Sequence, residues 1–451
     1  MHRFEQYQDF IARLYPELNT VPSDKNKQDR TLTREVTFQV TDECNLRCTY
    51  CYQINKGSRK MKFEYAKKLI DMLLTEDPKL NGYITVKNSP GLVLDFIGGE
   101  PFLNVELIEQ ICDYFYSRAI ELMHPWASRS AISISSNGVL YFKPEVQRFL
   151  NKYRSRMSLN ISIDGNKQLH DACRVFPDGS GSYDIAVAAA KDWMDRGFEM
   201  GSKITIAPGN LDYIFGAITH MVDLKYTEIH ANTVYENVWA PEDAVKFYKK
   251  LKEIADYWVD NGIVESHYLS LFDADMFTPL PESDLQTFCG GTGSMLSMDP
   301  DGYLYPCIRY MESSVGTDQP PLRFGHVDVG IAQRECDLRC LKLLNSVTRR
   351  TESDDECFYC PIARGCGECS AYNYQTYGTP DHKAKFSCEM HKARSLANVY
   401  FWNRYYRSIN SQERFKMYCP EEWAVPIIGK EEYDYLLELS SGGNSNENDS
   451  E

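Results

Sequence analysis

The sequence lacks any apolar run of about 18 residues, the length a helix needs to cross a membrane, and this excludes a membrane-spanning protein. No apolar stretch typical of a signal peptide follows the first methionine. Positive charge is also scarce, because 49 Lys and Arg stand against 64 Asp and Glu in 451 residues, for a formal net charge of −15. Such an acidic balance disfavours a nucleic-acid partner, which would require a basic face. We therefore expect a cytoplasmic protein with no membrane partner and no nucleic-acid partner.

Changes in pattern divide the chain into six segments. They are an N-terminal extension (1–32), an α/β domain (33–240), a bridging helical segment (241–285), a Cys-rich domain (286–392), a C-terminal helical segment (393–438) and a polar tail (439–451). The tail is rich in Ser, Gly, Asn and Glu and has nothing to bury, so we expect it to be disordered.

Short β-like runs alternate with amphipathic helical patterns throughout the α/β domain. The predicted strands cover residues 35–40, 92–97, 131–135, 158–163, 202–206 and 228–234. This alternation predicts parallel strands joined by right-handed crossovers, in an open barrel or a doubly wound sheet. In both architectures the chemistry gathers at the carboxyl ends of the strands, and unusual polar residues follow each predicted strand.

The sequence has fifteen cysteines, which is many for a reducing compartment, where structural disulfides are rare. Cys44, Cys48 and Cys51 form a CxxxCxxC motif after the first predicted strand, and nine more lie between residues 289 and 388. Three thiolates on one loop can hold three corners of a cubic [4Fe–4S] cluster and leave the fourth iron open for reaction. The alternatives are half of a zinc site or a chance cluster.

Three cysteines stand apart from both groups. Cys112 falls on the apolar face of a predicted helix, and Cys173 and Cys419 have no cysteine partners in the sequence. We predict that all three are buried structural thiols.

The CxxxCxxC motif, followed by Gly98-Gly99-Glu100-Pro101 after the second predicted strand, resembles the radical S-adenosylmethionine (SAM) enzymes. The resemblance implies a partial (β/α)6 TIM-like barrel over roughly residues 33–240. It also implies that SAM chelates the open iron and is cleaved reductively to a 5′-deoxyadenosyl radical, which abstracts hydrogen from the substrate. An electron donor such as flavodoxin or ferredoxin would be a partner.

The resemblance assigns roles in binding the methionyl part of SAM. Gly98, Gly99 and Glu100 match the motif that binds the methionyl amino group. Ser162 and Arg174 resemble positions that hold the methionyl carboxylate, and arginine suits this role because it is permanently charged with a fork of donors. Taken alone, Arg174 is more typical of a surface ion pair.

Two further residues match positions near the nucleoside. Tyr50 holds the aromatic position before the third cysteine, where the family's backbone meets adenine. Asn137 matches a contact to the ribose, although Asn137-Gly138 alone is typical of a turn.

The second group of cysteines resembles the SPASM extension of peptide-modifying radical SAM enzymes, which carries two auxiliary [4Fe–4S] clusters. The first auxiliary cluster would be held by Cys289, Cys307 and Cys369. The second would be held by Cys357, Cys360, Cys366 and Cys388. Paired CxxC elements are also common zinc ligands, so zinc is the alternative.

One cysteine of the SPASM pattern is missing, because residues 282–288 contain none. The first auxiliary cluster would then have an open iron, or Cys336 or Cys340 would complete it from a loop. The remaining alternative is that Cys336 and Cys340 are free surface thiols. An open iron could bind a substrate thiolate directly, as is proposed for thioether-forming relatives.

These resemblances predict a radical SAM peptide maturase that forms a thioether in a Cys-containing, ribosomally made precursor peptide. Ile308 stands where sulfatase-maturing relatives have a basic aspartate, which disfavours formylglycine formation. Carbon–carbon cross-linking, epimerisation, formylglycine-type oxidation and a non-catalytic zinc-stabilised binding module are the alternatives. Too few residues precede the first predicted strand for a winged-helix leader-binding domain, so a separate leader-recognition protein is an expected partner.

Overall fold

The computed structural model describes residues 33–316 and 318–441. The predicted N-terminal extension and residues 442–451 of the predicted tail lie outside the described residues. The final described helix ends at Ser441, so its last three residues overlap the segment predicted as a tail.

All six strands predicted from the alternating pattern are present. They are β1 (Thr33–Gln39), β2 (Gly91–Ile97), β3 (Ser130–Ser136), β4 (Met157–Ile161), β5 (Ser202–Ile206) and β6 (Glu228–Thr233). The helices among them are α1 (Phe63–Leu74), α2 (Val105–Glu121), α3 (Pro144–Tyr153), α4 (Lys167–Cys173), α5 (Tyr183–Asp195) and α6 (Ile214–Asp223).

Strand order separates the two architectures that the sequence left open. β1, β2, β3 and β4 pair in parallel in sequential order, and β5 pairs in parallel with β6, without the reversal of order that defines a doubly wound sheet. A short strand from the bridging segment, β7 (Tyr268–Leu269), extends the second sheet. In the described chain β4 and β5 do not pair, so the fold is a partial α/β barrel with an opening at that point.

The two faces of the barrel sheet differ sharply in character. One face is apolar and buried against the helices, and it includes Ile132, Ile134 and Leu159. The opposite face is polar and partly accessible, and we call the space in front of it the chamber. Its lining from β3 to β6 comprises Ser133, Ser135, Ser158, Asn160, Lys203, Thr205, His230 and Asn232.

The Cys-rich region is joined to the barrel through its sheet. β8 (Leu296–Met298) pairs in parallel with β1, and β9 (Tyr303–Tyr305) pairs antiparallel with β8. The short strands β10 (Gly325–His326) and β11 (Gly330–Ile331) complete this edge. The hydrogen-bonded sheet therefore runs continuously from the barrel into the Cys-rich region.

Helices form the rest of the C-terminal half. They are α7 (Pro241–Asp260), α8 (Glu335–Ser346), α9 (Arg349–Glu352), α10 (Asp355–Phe358), α11 (Ser370–Tyr377), α12 (Cys388–Ser408) and α13 (Glu421–Ser441), which breaks at Gly429. α12 packs along α7, where the Tyr400 hydroxyl donates to Asp256 Oδ1 at 2.6 Å. None of the helices in the described ranges is long and apolar enough to span a bilayer.

Candidate active site

The first three cysteines lie on the loop of residues 44–51, which follows β1 and which we call the first cysteine loop. One buried side chain and two backbone hydrogen bonds hold it in place. Leu46 is fully buried and anchors the loop. The Arg47 N–H donates to the Val175 carbonyl at 2.7 Å, and the Thr49 N–H donates to the Cys173 carbonyl at 2.9 Å. These bonds tie the loop to the segment after α4.

The three thiols of this loop are half-buried, which changes their acidity. Burial raises the pKa of Cys44 and Cys48, whereas the Arg174 guanidinium partly opposes that effect at Cys48. Thiols in such surroundings become thiolates when a metal binds them, because the cation compensates the buried negative charge. The loop therefore fits a metal cluster that takes one ligand from each of three cysteines.

Gly98 and Gly99 allow the loop after β2 to lie directly against residues 41–43, which lead from β1 into the first cysteine loop. The Gly99 N–H donates to the Thr41 carbonyl at 2.9 Å, and the Glu100 N–H donates to the Glu43 carbonyl at 2.8 Å. A Cβ atom on Gly99 would fall 2.3 Å from the Glu43 oxygen, and one on Gly98 would fall 2.8 Å from the Thr41 oxygen. Any side chain at these positions would push the two loops apart.

Glu100 is buried beneath this junction, and its carboxylate is fully engaged. One oxygen accepts from the Ser136 hydroxyl at 2.8 Å and the Phe102 N–H at 3.1 Å, and the other accepts from the Asn137 N–H at 2.8 Å. Burial raises the pKa of Glu100 to about 7, although these hydrogen bonds oppose the shift. The carboxylate therefore joins the ends of β2 and β3.

Asn137 and Ser162 are brought to the same rim by neighbouring strand ends. The Asn137 Nδ2 donates to Asn45 Oδ1 at 2.7 Å, which places this side chain against the first cysteine loop. The Ser162 N–H donates to the Ser136 carbonyl at 2.9 Å, just after β4. Asn137 therefore contacts the first cysteine loop, and Ser162 lies at the neighbouring strand end.

Arg174 and Tyr50 meet at a third residue, Asp164, which the sequence did not single out as a site residue. Arg174 Nε lies 2.8 Å from Asp164 Oδ2, and the Tyr50 hydroxyl donates to the same oxygen. The Arg174 guanidinium carbon also lies 5.4 Å from the centroid of the Tyr50 ring. Asp164 is 2% exposed, so both side chains meet at a buried carboxylate.

A buried histidine fixes the backbone on which this ion pair depends. His170 Nδ1 accepts from the Asp164 N–H at 3.4 Å, and its Nε2 lies 3.0 Å from the Ser182 hydroxyl. That hydroxyl donates to the Arg174 carbonyl at 2.8 Å. Burial lowers the pKa of His170 to about 4, so the ring is neutral and acts as a positioning residue.

Asp164 and His170 leave only weak signals in the sequence. Asp164 precedes Gly165 at the end of a strand, and His170 lies four residues before Arg174. Their roles depend on contacts that form only when the chain folds back on itself. Cys173 also differs from prediction, since it is half-buried beside Thr49 rather than in the core, whereas Cys112 and Cys419 are buried as predicted.

A second group of thiols gathers where the Cys-rich region meets the barrel. A Cβ atom on Gly291 would lie 3.3 Å from Cys289 Sγ and 3.4 Å from Cys307 Sγ, so both thiols flank this glycine. The Ser370 hydroxyl donates to Cys289 Sγ at 3.5 Å, and Cys369 caps the start of α11. The three thiols predicted for the first auxiliary cluster therefore lie together.

Cys336 and Cys340 occupy different surroundings from these three thiols. Both lie on α8, so the segment is a helix rather than the predicted loop. Cys336 is exposed, and Cys340 has Asp337, Cys336 and Arg339 as its charged neighbours.

The four remaining cysteines of the predicted pattern line one cavity of about 230 Å³. They are Cys357, Cys360, Cys366 and Cys388. Basic side chains share the lining, and the Lys383 amine lowers the pKa of Cys366, although burial raises it overall. Four thiols around one cavity with nearby cations fit a negatively charged iron–sulfur cluster.

The spacing of the thiols bears on the zinc alternative. Among the described residues, no three or more His, Cys, Asp or Glu side chains are placed to hold a single metal ion. The cysteines of a cubic cluster bind different iron atoms, so they lie further apart than the ligands of one zinc ion. Metal analysis therefore decides between clusters and zinc.

The chamber also contains a carboxyl group that was not predicted. Asp95 lies on the chamber face between Thr37 and Ser133 in the strand register, and it is 8% exposed. Burial, and secondarily the Glu35 carboxylate, raise the pKa of Asp95. A carboxyl group that is easily protonated therefore lies at the chamber wall.

Comparison with known proteins agrees with this geometry. The model of the Radical SAM superfamily matches residues 38–214. The radical SAM cyclopropyl synthase TigE of Paramaledivibacter caminithermalis is 22% identical over 399 residues, which cover 84% of this chain and 78% of that protein. A serine-type anaerobic sulfatase-maturating enzyme of Bacteroides thetaiotaomicron is 24% identical over 299 residues, covering 59% of this chain and 67% of that protein.

A solved structure shares the fold over most of both chains. Streptococcus suis SuiB bound to the precursor peptide SuiA superposes with a TM-score of 0.53 at 14% identity, covering 85% of this chain and 87% of that chain. The likeness extends through the Cys-rich region as well as the barrel. Residues 38–214 therefore form a radical SAM domain, whose family binds a [4Fe–4S] cluster and SAM, and the relatives of this chain include SPASM-type peptide maturases.

Proposed function

We propose that this protein is a radical SAM peptide maturase that forms a cross-link, specifically a Cys thioether, in a ribosomally made precursor peptide. The observation that carries the proposal is the pair of three-thiol groups on the barrel. One is the first cysteine loop, and the other comprises Cys289, Cys307 and Cys369 beside the strand that extends the barrel sheet.

The first cysteine loop would hold the reactive [4Fe–4S] cluster. When bound there, the cluster and SAM would supply a hydrogen-abstracting 5′-deoxyadenosyl radical. Arg174, fixed by Asp164, would hold the methionyl carboxylate with its remaining donors, and Tyr50 would lie beside the adenosine. Gly98, Gly99, Glu100, Asn137 and Ser162 would complete the SAM site.

The other cysteines would hold two auxiliary [4Fe–4S] clusters. Four thiols around one cavity would saturate the second auxiliary cluster, which suits electron transfer. Three thiols would leave one iron of the first auxiliary cluster open, and the placement of Cys336 and Cys340 on α8 supports this assignment. An open iron can take a peptide thiolate as its fourth ligand, which favours a thioether product.

Other radical modifications of a peptide form the second candidate. Asp95 supports formylglycine-type oxidation, because its carboxyl group could accept a proton within the chamber despite Ile308 at the position of the family's aspartate. The sulfatase-maturating relative is consistent with this alternative. A flavodoxin or ferredoxin would supply electrons, and a separate protein would recognise the leader peptide.

Mass spectrometry of the product tests the proposal. The reconstituted enzyme is incubated anaerobically with Cys-containing precursor candidates, SAM and reductant. The peptides are then compared with and without thiol alkylation. A thioether product lacks two hydrogen atoms and resists alkylation at the cross-linked cysteine. A modified peptide whose cysteines all remain open to alkylation points to a carbon–carbon cross-link or epimerisation instead. A chain that retains zinc without iron would overturn the family assignment of the site.

A further inference from the structure

Lys203 occupies an unusual position on the chamber face of the barrel. It lies opposite His230 in the register of β5 and β6, so both side chains face the chamber rather than the helices. Its neighbours along β5, Ser202 and Ile204, are buried on the opposite face. The Lys203 side chain is exposed on this face.

Among the described residues, no carboxylate forms an ion pair or hydrogen bond with the Lys203 amine. The nearby Arg309 guanidinium adds a second positive charge. Burial, with a smaller contribution from Arg309, lowers the pKa of Lys203. The nearest acid along β6, Glu228, lies 3.7 Å from His230 Nε2 instead.

Arg309 lies between the two three-thiol groups. Its Nη2 donates to Glu236 at 2.9 Å, and its guanidinium carbon lies 5.6 Å from the centroid of the Tyr52 ring, next to Cys51. The same guanidinium lies close enough to Cys369 to interact electrostatically with its thiol. Glu236 therefore pairs with Arg309, and among the described residues no carboxylate forms an ion pair with the Lys203 amine.

A ligand of opposite charge would relieve the repulsion between Lys203 and Arg309. The Asp95 carboxyl group lies on the same face, on β2, but it forms no ion pair with Lys203 among the described residues. The chamber lining from β3 to β6 otherwise consists of hydroxyl, amide and imidazole groups, which can orient a peptide but cannot neutralise an amine. A carboxylate that entered the chamber would gain a charge-assisted hydrogen bond from the Lys203 amine.

We propose that Lys203 binds a carboxylate of the precursor peptide inside the chamber, so that the enzyme selects a Cys-containing segment that also carries an acidic residue. The proposal rests on the proposed function and names its substrate class. Because Arg309 lies beside both three-thiol groups, a peptide held by Lys203 would pass between them.

Affinity selection from a defined library tests this proposal. The probe is a degenerate library of Cys-containing, C-terminally amidated dodecapeptides, offered anaerobically to the reconstituted, SAM-loaded full chain. We expect wild type to enrich peptides with Asp or Glu over their Asn or Gln counterparts. Lys203→Met should lower that enrichment by about tenfold or more, whereas Lys203→Arg should retain most of it.

Matched measurements separate binding from folding and from the reaction. Lys249→Met removes the same charge from an exposed position on α7 and should leave the enrichment unchanged. Equal enrichment by wild type and Lys203→Met overturns the proposal. So does a parallel loss of SAM affinity in Lys203→Met, because the amine would then bind the cofactor's carboxylate.

A second library identifies the source of the carboxylate. Enrichment in the amidated library assigns the bound group to an acidic side chain, as proposed. Enrichment confined to peptides with a free C terminus would overturn the selection of an acidic residue, because the bound group would then be the terminal carboxylate. The proposed function fails on a different readout, namely the absence of deoxyadenosine when wild type receives SAM and reductant. Failure of that reaction leaves the binding result intact.

Discussion

The two cysteine-bearing regions of the molecule are built in different ways. The first cysteine loop takes three thiols from eight residues and surrounds them with Glu100, Asp164 and Arg174 from other strand ends. The C-terminal region collects seven thiols from residues 289–388, and the cavity that four of them line has five lysine and arginine side chains against three acidic ones. A site for a charged organic ligand needs carboxylates and donors of fixed geometry, whereas a cluster that only carries electrons needs thiols and compensating cations.

The largest expected effect separates the two regions by function. The triple variant Cys357→Ala, Cys360→Ala, Cys366→Ala should lose about four of roughly twelve iron atoms per chain. It should still cleave SAM to deoxyadenosine, because the first cysteine loop is intact, while formation of modified peptide is abolished. Iron analysis and product chromatography measure both, with Cys336→Ala at an exposed position as the control. Loss of both activities would mean that the two regions do not act separately.

The next effect concerns the ion pair beneath the first cysteine loop. Asp164→Asn keeps the shape of the side chain but removes the charge that holds Arg174, so we expect the Kd for SAM to rise about tenfold or more. Equilibrium binding to the reconstituted enzyme measures this. Asp195→Asn, an exposed change on α5, should leave the Kd unaltered. An unchanged Kd in Asp164→Asn would contradict the role given to Asp164.

A smaller effect tests the contact between the loop after β2 and the residues just before the first cysteine loop. Gly99→Ala places a methyl group 2.3 Å from the Glu43 carbonyl, so it should cost about 1–3 kcal/mol in the free energy of unfolding and weaken SAM binding. Denaturant unfolding provides the measurement. Gly209→Ala is the matched control, because no atom lies within 4 Å of its added carbon. Equal stability of the two variants would refute the close approach.

The smallest effect is a dependence of stability on pH. Because burial raises the pKa of Glu100 from an ordinary value near 4.5 to about 7, the folded chain binds this proton more tightly than the unfolded chain. Wild type should therefore lose stability relative to Glu100→Gln as the pH rises from 4.5 to 7, and the difference should be constant above 7. Thermal unfolding should show a change of a few degrees in the Tm difference. Exposed Glu199→Gln should show no such trend.

Local patterns predicted much of the fold but few of the contacts between the residues of the site. Short β-like runs at residues 92–97 and 202–206, set between helical patterns, predicted β2 and β5. The pairing of β8 with β1 joins residues about 260 positions apart, and no periodicity reports such a contact. Asp164 and Lys203 were missed for the same reason, since their roles depend on neighbours from other strands.

The most direct test of the central claim uses the first cysteine loop itself. The variant Cys44→Ala, Cys48→Ala, Cys51→Ala is reconstituted with iron and sulfide under argon and given SAM and reductant, beside wild type. We predict that wild type forms deoxyadenosine and that the variant, folded by circular dichroism, forms none. Deoxyadenosine at the wild-type rate from the variant would contradict the assignment of these three thiols to the reactive cluster.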